Sequence, residues 1–276
     1  MRERRVVITG ASGLLGAWLR RTTPDDTRVT ALTHRTSLAD DGVATITADL
    51  RDADATLAAV IAAEPSVVIH AAYALDEASI VDATANVVAA TTAVGAELVF
   101  TSTDAVFSGD GRWRAEGDQP DPVADYGRWK VTAEQCVARC ASPTATVRLP
   151  LLASIDPDDH VVGRIRAEVG AGTPMTWFDD ELRQPARADE VALALWRIVA
   201  LPADERAGTW HLPGPDLLSR HAIAVRVATA LGLDPGLIRP EPSHPDANRP
   251  RDLRLSDDRA RQVIGWEPTA PYSNLR

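Results

Sequence analysis

The chain has 276 residues, 45% of them hydrophobic and 25% charged, and 29 lysines and arginines stand against 39 aspartates and glutamates. That length and ordinary composition exclude a disordered chain, a fibre and a small disulfide-stapled fold. The net charge of −10 argues against nucleic acid or an anionic membrane surface as the main partner.

The first apolar stretch is too short for a signal segment and no window reaches membrane-span length, so a cytoplasmic protein is expected. In chain order, residues 6–9 form a β-branched run that reads as a buried strand, followed by a glycine-spaced turn and a helix over 14–21. Strands are expected at 28–33 and 44–46. An alanine-rich helix over 53–63 stops at Pro65, and a strand follows at 67–71. A helix over 80–94 leads to a strand at 97–101. Such alternation of short apolar strands with helices predicts an α/β fold built on a doubly wound parallel sheet.

Residues 104–125 hold three glycines and two prolines and read as a long functional loop. A helix is expected over 126–140, carrying the two cysteines, Cys136 and Cys140, as reduced packing residues. A strand at 145–149 follows. Further helices are expected at 161–169, 188–200, 219–231 and 256–264, with Ser219 and Ser256 as N-caps. The prolines in 235–250 predict an ordered wandering loop.

Gly10, Gly13 and Gly16 lie between the first strand and the first helix. There Gly10 serves a tight turn, Gly13 lets backbone approach a pyrophosphate, and Gly16 lets helix and strand pack closely. The helix N-terminus offers free N–H groups to the phosphates. The end of the second strand carries His34 and Arg35 and no carboxylate. A carboxylate there would bind the ribose hydroxyls of NAD. Arg35 instead suits a 2′-phosphate, which favours NADP(H) with NAD(H) as the alternative; a solvated loop charge remains the other reading of Arg35. Asp49 and Leu50 lie where adenine would rest, and Ala71, Ala72 and Tyr73 end the fourth strand beside the cofactor path. His70, among small and apolar neighbours, reads as structural.

Tyr126 and Lys130 are four residues apart, hence on one helical face. A nearby ammonium would favour the phenolate and lower the tyrosine pKa. Thr103 at the sheet's C-terminal edge can hold a substrate carbonyl. Hydride addition to carbon with proton transfer from Tyr126 to oxygen is the chemistry this set allows.

These segments (Thr9 to Gly16, Ser102 to Gly109, Tyr126 to Lys130), with Arg249-Pro250-Arg251, Leu255, Arg259 and Gly265-Trp266, resemble the extended short-chain dehydrogenases/reductases. Within them the chain resembles the dTDP-4-dehydrorhamnose reductase family. The resemblance implies a Rossmann domain over 1–150, rejoined by the helix at 188–200, and a smaller C-terminal α/β substrate-binding lobe over 151–187 and 201–276. It implies a catalytic set of Thr103, Tyr126 and Lys130. Gly10, Ser12, Gly13, Leu14, Leu15, Gly16, His34, Arg35, Asp49, Leu50, Ala71, Ala72, Tyr73, Tyr126 and Lys130 would hold the cofactor. Thr103, Asp104 and Arg249 would face a nucleotide-sugar substrate, with a loop salt bridge as the other reading of Arg249. No metal is expected, and a homodimer is compatible with the family.

The sequence departs from the family around the substrate. Arg148-Leu149-Pro150-Leu151-Leu152 lacks an aromatic, Ala105 stands where a tyrosine is common, and the segment between Tyr73 and Asn86 is short. These leave open another carbonyl or imine from a natural-product pathway. Residues 148–152, Gln184-Pro185-Ala186-Arg187 and Trp210-His211-Leu212 also resemble the regulatory β subunits of methionine adenosyltransferase, which implies a non-catalytic, NADP-binding alternative.

Overall fold

Short β-branched runs ending at small residues form most of the central strands, and the helices between them cover both faces. The computed structural model describes residues 3–38, 41–244 and 248–272. The first half comprises β1 (Arg4–Thr9), α1 (Leu14–Arg21), β2 (Thr27–Thr33), β3 (Ala44–Thr47), α2 (Ala53–Ala63), β4 (Val67–His70), α3 (Ala83–Ala93), β5 (Glu97–Thr103), β6 (Asp110–Arg114), α4 (Asp125–Val137) and β7 (Thr144–Leu149). The second half comprises β8 (Leu152–Ala153), α5 (His160–Glu168), β9 (Met175–Phe178), β10 (Leu182–Arg183), β11 (Ala186–Arg187), α6 (Ala188–Ala200), α7 (Ala203–Arg206), β12 (Gly208–His211), β13 (Leu218–Ser219), α8 (Arg220–Ala230), β14 (Ile238–Glu241), β15 (Asp252–Leu255) and α9 (Asp258–Ile264).

Among the described residues the large sheet has seven strands in the order β12-β7-β5-β4-β1-β2-β3, every neighbouring pair parallel. The strand order therefore reverses between β1 and β4, the point where doubly wound sheets open a crevice at their C-terminal edge. One face is closed by an apolar cluster joining Leu15 and Leu19 of α1 to Val191, Leu195 and Trp196 of α6, and Trp196 Nε1 donates to the Leu19 carbonyl at 3.1 Å. The other face joins Val7, Val68 and Phe100 to Val87 of α3 and Val137 of α4. A second core unites α5, α8 and β9 through Val161, Ile165, Trp177, Ile223 and Val227. The doubly wound α/β expectation is met.

Several local expectations change. Residues 208–211, expected in the lobe, join the large sheet because β12 pairs with β7 in register from Gly208↔Ala145 to His211↔Arg148. The 104–125 loop contains a 3-10 turn at Asp104–Val106 and the strand β6. β6 pairs with β15, which lets Leu253 and Leu255 bury Val106 and Phe107. A π-helical turn, Ala78–Asp82, precedes α3. α4 ends at Val137, where Arg139 N and Cys140 N close tight turns on the Cys136 and Val137 carbonyls. Both cysteines are free and half-buried, and Cys140 Sγ lies 3.4 Å from Thr92 Oγ1. Ser219 caps α8 by accepting from Ala222 N. α9 starts one residue later than a Ser256 cap requires, with Asp257 at the cap position; Ser256 Oγ donates to Asp258 Oδ2 at 2.7 Å and accepts from Asp258 N at 3.4 Å. Residues 235–241, expected as loop, form a 3-10 turn and β14. Residues 245–247 lie outside the described set.

Gly10 has a φ of +66°, the left-handed region that glycine enters without steric cost. A Cβ at Gly16 would come within 2.6 Å of Ala11 Cα and nearer still to the Gly10 carbonyl oxygen. Gly16→Ala would gain about 1 kcal/mol of helix propensity, but the obstruction is rigid backbone and overpacking costs about 1–3 kcal/mol or more. A net loss of stability with a lower thermal midpoint is therefore expected by calorimetry. A raised midpoint would show that α1 can move away from the turn.

Candidate active site

Two adjoining clefts open along the C-terminal edge of the large sheet. The first, about 390 Å³, is lined by Gly10, Ser12, Gly13, His34, Arg35 and Asp49. Leu50, Ala71, Ala72 and Tyr73 complete the part of its wall named from the sequence. The second, about 750 Å³, shares Gly10, Gly13, Ala71 and Tyr73 with it and adds Leu14, Leu15 and Gly16. Thr103, Asp104, Tyr126, Lys130 and Arg249 also face this second cleft. Every site residue named from the sequence thus lines one cleft or both.

The first cleft suits a dinucleotide phosphate. Gly13 occupies the N-cap of α1 without a side-chain capping bond, and the first turn carries no acidic residue. Its N–H groups and the positive end of the helix dipole are left for an anion. A Cβ on Gly10 would collide with the Ala72 backbone at 2.7 Å, whereas on Gly13 the nearest atom is the Gly10 carbonyl oxygen at 3.3 Å. The turn is packed behind and open in front. At the far end Asp49 pairs with Arg51 at 2.7 Å and with His34 at 3.6 Å. The Arg51 hydrogen bonds hold the Asp49 carboxyl far below the usual carboxylate range. Arg35 is exposed on the cleft rim.

Proximity of β5 to α4 builds the second group. A Cβ on Gly127 would strike the Ala105 carbonyl oxygen and lie 2.8 Å from Pro122 Cβ, so only glycine allows the helix to approach this closely. Tyr126 thereby faces the second cleft with Thr103, and burial foremost, then Tyr73, push its phenol pKa above the ordinary value, with Thr103 opposing and Asp104 adding to the rise. Lys130 departs from the expected arrangement. Its Nζ donates to the Thr101 carbonyl at 3.0 Å and lies 4.8 Å from the Phe100 ring centroid and 5.6 Å from that of Tyr73. Burial draws its pKa down to about 8, with Glu134 opposing. The tyrosine pKa is raised, not lowered, because burial disfavours the phenolate, while the ammonium is turned to the Thr101 carbonyl. His70 is buried, its Nδ1 2.7 Å from Thr9 Oγ1 and its Nε2 3.1 Å from Thr84 Oγ1.

On the lobe side Arg249 makes a two-point pair with Glu181, at 2.5 and 3.0 Å. Glu181 is fully buried and also lies 3.5 Å from Arg183 and 3.6 Å from Arg220. Three guanidiniums around one carboxylate leave a net positive wall on the cleft that Asp104 also lines. Arg183 and Arg220, both lining the cleft, were not singled out from the sequence. They come from β10 and α8, and no local spacing links them to Arg249. Among the described residues no group of three or more histidine, cysteine or acidic side chains could hold a metal, and no helix is long and apolar enough to cross a membrane.

The sequence matches the RmlD substrate binding domain family over residues 4–275. It is 32% identical over 282 residues to a dTDP-4-dehydrorhamnose reductase of Streptomyces griseus, covering 96% of this chain and 89% of that protein. It is 27% identical over 308 residues to methionine adenosyltransferase 2 subunit beta of Bos taurus, covering 98% and 85%. Among solved structures, dTDP-4-dehydrorhamnose reductase of Bacillus anthracis in complex with NADP superposes with a TM-score of 0.81 at 21% identity, covering 99% of this chain and 95% of that one.

Proposed function

Because this chain belongs to the RmlD substrate binding domain family, we propose that it is an NADP(H)-dependent ketoreductase acting on the 4-keto group of a nucleotide-linked 6-deoxysugar. The carrying observation is that Thr103, Tyr126 and Lys130 line the second cleft together, with the Tyr126 ring centroid 6.3 Å from that of Tyr73, which lines both clefts. A bound reduced nicotinamide would supply hydride to the carbonyl carbon. The Tyr126 phenol, kept protonated by its burial, would give its proton to the carbonyl oxygen. The Thr103 hydroxyl would orient that oxygen. Lys130 would add fixed positive charge to the wall from its seat on the Thr101 carbonyl. Arg220 and Arg249 would meet the substrate diphosphate, since guanidinium matches phosphate geometry. Residues 1–150 would serve the dinucleotide and the lobe the sugar nucleotide, in a cytoplasmic protein that forms a homodimer.

The test is NADPH oxidation by the isolated chain with a panel of dTDP-4-keto-6-deoxysugars. Turnover supports the reading, and its absence across the panel defeats it. The whole-length similarity to methionine adenosyltransferase 2 subunit beta favours a second reading, a dinucleotide-binding partner subunit. Nucleotide binding without turnover, together with co-purification of a larger enzyme, would select it.

Arg35 supports NADP(H) over NAD(H) through its place on the rim beside Asp49. Removing a guanidinium that bonds a 2′-phosphate costs about 1.5–3 kcal/mol. Arg35→Ala is thus expected to weaken NADPH roughly tenfold to a hundredfold and to leave NADH unchanged in paired fluorescence titrations. Equal weakening of both would assign Arg35 to loop structure.

A further inference from the structure

The strand order of the large sheet separates the dinucleotide from what lies beyond Thr103. The first cleft opens at the ends of β1 and β4, Thr103 ends β5, and β7 lies on the side of β5 away from β4. Leu149, the last residue of β7, is the register partner of Thr103, on a strand about 4.8 Å away. From there Leu149-Pro150-Leu151-Leu152 runs along the second cleft into β8. Leu149 is buried, and Leu151 and Leu152 are half-buried. Leu151 is anchored on the core of α5 and α8, and Leu152 on the cluster of α1 and α6. Each turns its remaining surface to the cleft.

The main chain of this segment has little hydrogen bonding left to give. Pro150 has no N–H, the Leu151 carbonyl accepts from Ala186 N at 3.0 Å, and Leu152 pairs with Ala186 through β8 and β11. The wall is about 10 Å long, the reach of three extended residues. It presents carbon to a ligand and no side-chain hydrogen-bonding group.

We propose that Leu149, Leu151 and Leu152 read the C5 substituent of the sugar, accepting a methyl group and rejecting a hydroxymethyl or a carboxylate. The proposal deepens the sugar-nucleotide reading above and rests on it. With the C4 carbonyl oxygen at Thr103 and the diphosphate on Arg220 and Arg249, the C4 and C1 ends of the pyranose are fixed. Two ring edges join those ends. One carries the C2 and C3 hydroxyls, and the other carries the C5 substituent and the ring oxygen. A hydroxyl pressed on the leucine wall loses water and gains no partner, which is costly, and a carboxylate there costs far more. A methyl group and an ether oxygen need no such partner. The C5 edge therefore lies on the wall, and the C2–C3 edge is turned away from β7. The missing aromatic of residues 148–152 thus becomes a feature of recognition, because branched aliphatic side chains close around a methyl where a flat ring cannot.

The experiment compares dTDP-6-deoxyglucose with dTDP-glucose, which differ by a single hydroxyl and carry no ketone to reduce. Each is titrated calorimetrically into the NADPH-saturated protein. The 6-deoxy probe is expected to bind roughly tenfold to a hundredfold tighter, the range over which an apolar pocket rejects an added hydroxyl. Leu151→Thr sets a hydroxyl on the wall and should shrink that ratio severalfold, with NADPH affinity unchanged. A merely structural role would weaken both probes together and keep the ratio. Equal affinities in the parent overturn the proposal and leave the sugar-nucleotide reading standing. Binding of neither probe overturns that reading and the proposal with it. A parent preference that survives intact in Leu151→Thr overturns the assignment to the wall. Should Leu151→Thr fail to fold, Leu152→Thr takes its place under the same criteria.

Discussion

Tyr126→Phe is expected to lower kcat roughly 10²–10⁴-fold, the range contributed by a positioned general acid, while dinucleotide affinity stays close to that of the parent. The substitution removes one hydroxyl and keeps the ring. That ring packs against the apolar cluster of α3, α4 and the sheet, with its centroid 6.3 Å from that of Tyr73. Loss of one hydroxyl costs at most about 1 kcal/mol of stability, the net worth of an ordinary hydrogen bond, too little to unfold a domain. The loss should therefore fall on kcat with little change in KM, because the missing proton is needed only as the carbonyl is reduced. Steady-state rates on the preferred keto-sugar, with NADPH titrations as the control, make the measurement. An unchanged kcat would mean the proton comes from water or another side chain. A large rise in KM with kcat intact would make Tyr126 a binding group only.

The elements legible from sequence are those whose causes are local. α1, α2 and α6 begin and end where expected. The glycine turn before Leu14, the Asp52 cap on Ala55 N and the left-handed Glu64 before Pro65 are neighbours in the chain. The parallel pairing of the large sheet follows from the same alternation. Elements created by distant partners were not legible. β6 exists because β15 pairs with it, and nothing within residues 104–125 announces that partner. β12 joins the large sheet for the same kind of reason.

The site divides in the same way. The spacing of Tyr126 and Lys130 places both on one face of α4, and the structure keeps them there. Spacing does not reveal which acceptor lies opposite a lysine. The Thr101 carbonyl, at the end of β5, takes the ammonium. Arg249 was legible as a tail residue. Its partner Glu181, and the convergence of Arg183 and Arg220 on that carboxylate, depend on β10 and α8 meeting across the lobe. The Tyr126-Gly127 pair held an unread signal. Glycine directly after a candidate catalytic tyrosine marks close helix approach, and the Ala105 carbonyl is what it approaches.

Acid should destabilise the fold well before the carboxylates titrate, through two histidines. His70 and His211 are 1% and 0% exposed. Burial foremost, then the charge of Lys130 for His70 and of Arg148 for His211, draws each pKa down to about 3. The partners of His211 fix its neutral form. Nδ1 lies 3.1 Å from the Ser256 carbonyl and so carries the proton, while Nε2 faces the Arg148 guanidinium at 3.4 Å and must accept. An unfolded histidine titrates near 6.5. Between that value and about 3, the unfolded chain binds protons that the folded one refuses. The stabilising contribution is therefore complete above the unfolded pKa and lost as pH falls, at about 1.4 kcal/mol per pH unit for each histidine. Both together remove roughly 4 kcal/mol from about pH 6.5 to about pH 5, a large part of the usual 5–15 kcal/mol of a folded protein. Urea midpoints taken from about pH 8 down to about pH 5 should be flat at first and then fall steeply, with an unchanged m-value. His211→Gln lowers the whole curve by its lost packing, so its slope is the informative quantity, and that slope should be about half the parent's. A parent curve that stays flat to pH 5 would mean that both imidazoles accept a proton inside the fold.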